Sequence, residues 1–102
     1  MNDYVLSPAA HDDLIEIWEY IADDSIDAAD RVRDALFQAI DRLADIPHMG
    51  HIRQDLADEP LRFWRVYRYL IVYRAEVRPI EIVRVLSAYR DIRSILSGPH
   101  RE

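Results

Sequence analysis

Eight arginines fall between residues 62 and 93, at Arg62, Arg65, Arg68, Arg74, Arg78, Arg84, Arg90 and Arg93. Only Glu76, Glu81 and Asp91 oppose them, so the window carries +5. Phe63, Trp64, Tyr67, Tyr69, Tyr73 and Tyr89 are interleaved with the guanidinium groups. Arginine presents a planar fork of donors that matches carboxylate or phosphate. Aromatic faces next to it can stack bases. Two chemistries therefore fit the window: holding nucleic-acid phosphates, or holding the carboxylates of an acidic protein segment. A cross-strand ladder of arginines and aromatics, with no ligand at all, accounts for a share of the same residues.

Other chemistry finds less support. The four histidines are His11, His48, His51 and His100. His48 and His51 are three apart with Asp55 four further on, but a metal site needs convergent ligands of fixed geometry. They lie in a segment that reads as loop, so no metal site is expected. None of the serines stands in a Gly-x-Ser-x-Gly turn. A phosphate-cradling glycine loop is excluded, because the only glycines are Gly50 and Gly98. The carboxylate pairs Asp12-Asp13 and Asp23-Asp24 are adjacent in sequence, and adjacent helical residues point apart. They are expected to be solvated or to cap helices. No cofactor is expected.

The arginine-rich window must be carried by strands. Leu61 to Val66, Tyr69 to Ala75 and Ile80 to Ser87 are rich in aromatic and β-branched residues. Tyr67-Arg68 makes a tight turn between the first two, and Glu76 to Pro79 turns into the third. Upstream, Tyr4 to Leu6 suggests a short first strand. Ser7-Pro8 marks a helix start, with Ser7 as N-cap and Pro8 at the first helical position. Leu14, Ile17, Trp18 and Ile21 recur at helical spacing to about Ala22. Asp23-Asp24-Ser25 breaks the pattern and can cap a second helix. That helix runs from Asp27 to Ile46, with Ala29, Val32, Leu36, Ile40, Leu43 and Ile46 on one face. Pro47 ends it.

Residues 47–60 have no period and read as loop. Asp91 to Leu96 can add a short helix, and residues 97–102 read as a flexible tail. The order is β-α-α-β-β-β, an α+β layout: a helical hairpin on one face of a small, mainly antiparallel sheet. At 102 residues the chain is one domain, residues 1–102.

Strands 69–75 and 80–87 are apolar on both alternating sets. In the first, Tyr69, Ile71 and Tyr73 stand against Leu70 and Val72. In the second, Ile80, Ile82 and Leu86 stand against Val83 and Val85. A sheet with one solvated face alternates apolar with polar, and two helices cover only one face. The second face is therefore either a partner surface or covered by loop 47–60 and the tail.

Charge is divided in the same way as structure. Residues 1–50 hold 3 arginines and 12 carboxylates, a balance of −9, and residues 51–102 hold 10 and 7, a balance of +3. An acidic helical half faces a basic sheet half. There is no lysine and no cysteine. The missing cysteine excludes disulfides and thiolate metal sites. The N-terminus lacks the pattern of a signal peptide, and no apolar run approaches a membrane span. A cytoplasmic protein without membrane contact is expected.

Four stretches in order carry a resemblance: LSPAAHDDLIEIWEYIADDSIDAADRV from Leu6, RLADIPHMG from Arg42, RYLIVYR from Arg68 and IEIVRVLSAYRDI from Ile80. Together they resemble the ParE toxins of the ParE/RelE superfamily, over Leu6 to Leu96. The resemblance implies a RelE-like fold and a type II toxin–antitoxin system with a ParD-like antitoxin in a hetero-oligomer. ParE-like members are associated with inhibition of DNA gyrase, a type II topoisomerase, while RelE relatives cut mRNA on the ribosome. Where the RNA-cleaving branch carries a catalytic arginine, this chain has Leu70. Where ParE-like chains often read Val-Leu-His-Gly-Ala-Arg, it reads Val85-Leu86-Ser87-Ala88-Tyr89-Arg90.

The resemblance thus implies a toxin that binds its target without a catalytic residue of its own. The alternative, a ribosome-dependent mRNA endoribonuclease, would use Arg65, Arg84 and Tyr89. The residues expected to meet the antitoxin are Trp64, Arg65, Tyr67, Arg68, Tyr73 and Arg74. Tyr89, Arg90 and Arg93 are expected to meet the target.

Overall fold

Ser7 decides where the chain turns from strand to helix. In the computed structural model, which describes residues 3–98, its hydroxyl accepts a hydrogen bond from the Ala10 amide and Pro8 occupies the first helical turn. The strand before it is β1 (Tyr4–Leu6) and the helix after it is α1 (Pro8–Ala22). Ser25 repeats the device, accepting from the Ala28 amide, and opens α2 (Ile26–Asp45). Each such cap stabilises by about 1 kcal/mol. The two helices form a hairpin, tied at its side by the Trp18 indole donating to Asp30 at 2.9 Å.

Pro47 stops α2 as its sequence position requires. The following segment is not plain loop: it holds a 3₁₀ turn, Pro47–Met49, and a two-residue strand, β2 (His51–Ile52). Then come β3 (Arg62–Val66), β4 (Tyr69–Arg74), β5 (Ile80–Ser87) and α3 (Ile92–Leu96). The expected order β-α-α-β-β-β therefore gains a strand. Two residues are too few to show a period, which is why β2 was invisible to patterning. The sheet has the order β1-β5-β4-β3-β2, with β1 parallel to β5 and every other pair antiparallel. The fold is α+β, as the sequence pattern predicts. The expected tail over residues 97–102 begins with Ser97, which caps α3 by bonding to the Arg93 carbonyl; residues 99–102, with His100, lie outside the described residues.

Tyr69, Ile71 and Tyr73 face the helices and pack with Leu14, Leu36, Ile40 and Leu43. Leu70 and Val72 face the other way, into a second layer made by Ala57, Leu61, Phe63, Leu86 and Ile92, flanked by Leu56, Ile95 and Leu96. The second face of the sheet is thus covered by loop residues and α3. Its apolar character serves the fold and is no mark of a partner surface. Burying each such side chain stabilises by roughly 1.5–3 kcal/mol, which outweighs any exposed ion pair.

The sides taken by β5 differ from simple alternation. Ile80 and Ile82 face the helices, but so does Val85, while Leu86 joins the second layer. Tyr73 pairs with Ile82 and Val72 with Arg84, so Val83 is an extra residue in β5. One inserted residue exchanges the two faces downstream. Leu86 was expected beside Ile80 and Ile82, and the bulge moves it across.

Candidate functional site

The β3–β4 hairpin closes on two residues, Tyr67 and Arg68, since Val66 pairs directly with Tyr69. Tyr67 takes φ 53°. A two-residue hairpin needs a left-handed residue, and for a side chain other than glycine that costs about 1–2 kcal/mol. Its ring is left 62% exposed. Strand β5 ends beside this turn, where the Ala88 amide donates to the Arg68 carbonyl at 2.7 Å. The chain then presents Tyr89, 72% exposed, and the exposed Arg90.

Arg65, Arg68 and Tyr89 form one cluster. The Arg65 guanidinium lies 5.9 Å and that of Arg68 5.4 Å from the centre of the Tyr89 ring. Arg65 also donates to the Tyr67 carbonyl at 2.7 Å and to the Tyr89 hydroxyl at 3.5 Å. Cation–π contacts at exposed positions are worth about 0.5–1 kcal/mol each. They orient the guanidiniums without neutralising them. Among the described residues, no carboxylate forms an ion pair with Arg65, Arg68 or Arg90.

The other five arginines of the window are engaged by the fold. Arg62 donates to the Gly50 carbonyl at 2.7 Å. Arg74 lies at the far end of β4, against Glu59 at 3.0 Å and Glu81 at 3.2 Å. Arg78 donates to backbone carbonyls of Ala75 and Val77. Arg93, on α3, holds the carbonyls of Gln54 and Asp55 and the Asp58 carboxylate. Arg84 donates from Nε and Nη2 to the two oxygens of Asp13, at 2.8 and 2.9 Å.

That last pair corrects the expectation that Asp12-Asp13 is solvated. Asp12 is exposed, but Asp13 is only 7% exposed and also accepts from the Val85 amide at 2.9 Å. Strand β1 pairs no further than Leu6 with Ile82. Beyond it β5 is an edge, and side chains of α1 and its cap take up the edge groups: Ser7 donates to the Val83 carbonyl at 2.7 Å, and Asp13 binds Val85. The Asp13 hydrogen bonds hold the Arg84 guanidinium above its ordinary pKa, against the opposing effect of burial. Asp13 falls in the stripe Ala10, Asp13, Leu14, Ile17, whose three- and four-residue steps mark the buried face of α1. That spacing was the signal available in the sequence.

The residues expected to meet a partner are consequently divided. Arg65, Tyr67 and Arg68 gather at the turn with Tyr89 and Arg90. Trp64 is half-buried, with His51 stacked on it at 6.2 Å. Tyr73 lies wholly in the core, where its hydroxyl donates to the Pro47 carbonyl and accepts from the Gly50 amide. It cannot anchor a partner from there. Burial holds its phenol above the ordinary tyrosine pKa. Of the alternative set Arg65, Arg84 and Tyr89, two are in contact and Arg84 is committed to Asp13. His48 meets Glu76 at 3.1 Å, away from the His51–Trp64 stack, and the described residues include no group of three His, Cys, Asp or Glu arranged to hold a metal ion. None of the described helices is long and apolar enough to cross a membrane.

Comparison with known proteins places this geometry. A solved structure titled "Chromosomal ParDE TA system from P. aeruginosa" superposes with a TM-score of 0.69 at 18% identity, covering 85% of this chain and 96% of that one. At that identity the likeness establishes the fold. No curated protein matches the sequence. The family model described as "ParE toxin of type II toxin-antitoxin system, parDE" matches residues 4–92, nearly the whole chain, and the protein belongs to that family of toxins.

Proposed function

We propose that this chain is the toxin of a type II pair, neutralised by a ParD-like antitoxin in the cytoplasm, and that it acts by binding DNA gyrase or a related type II topoisomerase. The observation that supports binding over catalysis is the cluster Arg65, Arg68 and Arg90 beside Tyr67 and Tyr89, which has no carboxylate partner among the described residues. Guanidinium groups present planar forks of donors that match carboxylates and phosphates. Leu70, in the second apolar layer, supplies neither charge nor proton. Arginine and tyrosine are, by contrast, the residue types that dominate protein interfaces.

The antitoxin in this reading lays an acidic, amphipathic tail over the turn end of the sheet, covering Arg65, Tyr67 and Arg68. The target meets Tyr89 and Arg90 in the same region, so the two partners exclude one another. Purified protein added to gyrase is expected to suppress supercoiling, and the small protein encoded beside this gene is expected to restore it. Unchanged supercoiling at large excess removes the topoisomerase reading. Discrete, codon-linked cuts in translated mRNA would replace it with ribosome-dependent cleavage.

A further inference from the structure

A cleft of about 340 Å³ opens between α1 and the turn end of the sheet. Its walls include Glu16, Ile17 and Tyr20 from α1, and Arg68, Tyr69 and Arg90 from the sheet side. Val85 and Tyr69 are buried beneath it and Ile17 is half-buried, which gives it an apolar floor. Tyr20 is 74% exposed, an aromatic ring on the rim that the fold leaves largely uncovered. The volume is at the small end of the range for ligand pockets, roughly 300–1,000 Å³, and suits one large side chain rather than a cofactor.

The charges around the cleft are asymmetric. Asp13 is on its wall but is spent on Arg84 and the Val85 amide. Glu16 lies close enough to Arg84 for its charge to act on that guanidinium. The carboxylates on the α1 side thus face a cation the fold already supplies. Arg68 and Arg90, on the opposite side, have no carboxylate partner among the described residues. A cationic segment entering the cleft would meet both guanidiniums, whereas an anionic one would complete them. The cleft also adjoins the cluster proposed above to meet the antitoxin, through the shared Arg68.

We propose that this cleft receives an apolar side chain of the antitoxin's tail, with a neighbouring carboxylate of the same tail bridging Arg68 and Arg90. The proposal rests on the antitoxin reading and sharpens it: the anchor is an apolar residue flanked by an acidic one, seated against Tyr20 and Ile17. Burying a charge-assisted, forked contact beside an aromatic anchor is the usual make-up of an interface hot spot.

Calorimetric titration of the full chain with the antitoxin encoded beside this gene tests it. Tyr20→Ala, Arg68→Ala and Arg90→Ala are each expected to weaken binding at least tenfold, about 1.4 kcal/mol. All three positions are exposed, so circular dichroism of the variants should match wild type. Glu16→Gln removes a like charge from the rim and should not weaken binding. Arg33→Ala, on the outer face of α2, should bind as wild type does. If wild type binds and the three cleft variants bind equally well, the cleft proposal is overturned while the antitoxin reading stands. If wild type does not bind, both fall. Equal weakening by Arg33→Ala would reduce the effect to overall charge and overturn the cleft, and weakening by Glu16→Gln would mean a cationic occupant. A concentration-dependent dimer in sedimentation that Arg68→Ala dissociates would give the cleft to a second copy of this chain instead.

Discussion

Arg84 and Arg68 belong to the same sheet, and both carry a charge the chain must accommodate, yet they are treated in opposite ways. Arg84 is forked onto Asp13, and Asp13 in turn closes the free edge of β5 at Val85. Arg68 lies over the Tyr89 ring with no carboxylate partner. One arginine is part of how α1 is fastened to the sheet. The other, like Arg65 and Arg90, has no carboxylate partner among the described residues. The total of +5 between residues 62 and 93 therefore overstates what a partner can use, because Arg62, Arg74, Arg78, Arg84 and Arg93 are held by carboxylates or backbone carbonyls away from the turn. What remains is smaller and concentrated at one end.

The largest effect expected from breaking this contrast is at the clasp. Asp13→Ala strands the partly buried Arg84 guanidinium and leaves the Val85 amide without its acceptor. Removing one member of a buried, hydrogen-bonded pair costs about 3–5 kcal/mol, a large share of a total stability of roughly 5–15 kcal/mol. Urea denaturation should show a matching fall in the midpoint with little change in slope. A loss below 1 kcal/mol, the range of exposed pairs, would mean that the clasp is no more structural than Arg33 with Asp30.

Much of this fold could be read from residue spacing, and the failures have identifiable causes. Ser7-Pro8, Ser25 and Pro47 act locally, through their own caps and ring geometry, so the helix limits they predict agree with the observed ones to within a residue or so. The double apolar alternation of β4 correctly requires covers on both faces. It does not say what covers the second face, because Leu56, Ala57 and Ile92 come from segments without a period. The bulge at Val83 was equally hidden: a single inserted residue leaves composition unchanged while moving Val85 and Leu86 to opposite sides. At the candidate site, Arg65, Tyr67 and Arg68 are expected from sequence to meet one partner, and Tyr89 and Arg90 another. The end of β5 lies beside the β3–β4 turn, through the Ala88 amide on the Arg68 carbonyl, and so brings them together. That is a matter of strand order, which spacing does not show. The burial of Tyr73 is likewise not legible, because a tyrosine in a strand looks the same whether its hydroxyl reaches water or, as here, a buried turn at Pro47 and Gly50.

A smaller effect of opposite sign is expected at the turn. Tyr67 holds a left-handed backbone conformation that glycine adopts freely. Tyr67→Gly relieves a cost of about 1–2 kcal/mol and gives back part of it through the more flexible unfolded chain, so thermal and chemical unfolding should show a net gain of about 1 kcal/mol or less. The same variant removes an exposed ring from the proposed antitoxin surface and should weaken that complex. Strain retained at a binding position is a common arrangement. A variant that is more stable and binds equally well would show that the tyrosine at this turn has no part in recognition.

The smallest effect on stability is expected where the charge is least compensated. Arg65 donates to the Tyr67 carbonyl and reaches the Tyr89 hydroxyl only at 3.5 Å, and its side chain is exposed throughout. Water can replace each of these contacts when the side chain is cut back. Surface substitutions of this kind usually change stability by no more than about 0.5 kcal/mol. Arg65→Ala should therefore unfold at nearly the wild-type urea concentration, in contrast to Asp13→Ala. Its expected defect is in association: losing one cation from the cluster should lower the on-rate for an acidic partner and flatten its dependence on salt. Stopped-flow mixing with the proposed ParD-like antitoxin at two ionic strengths reads both. A destabilisation above 1.5 kcal/mol would place Arg65 with Arg84 as a structural arginine, and the cluster around Tyr89 would then have to be understood as part of the fold's own framework.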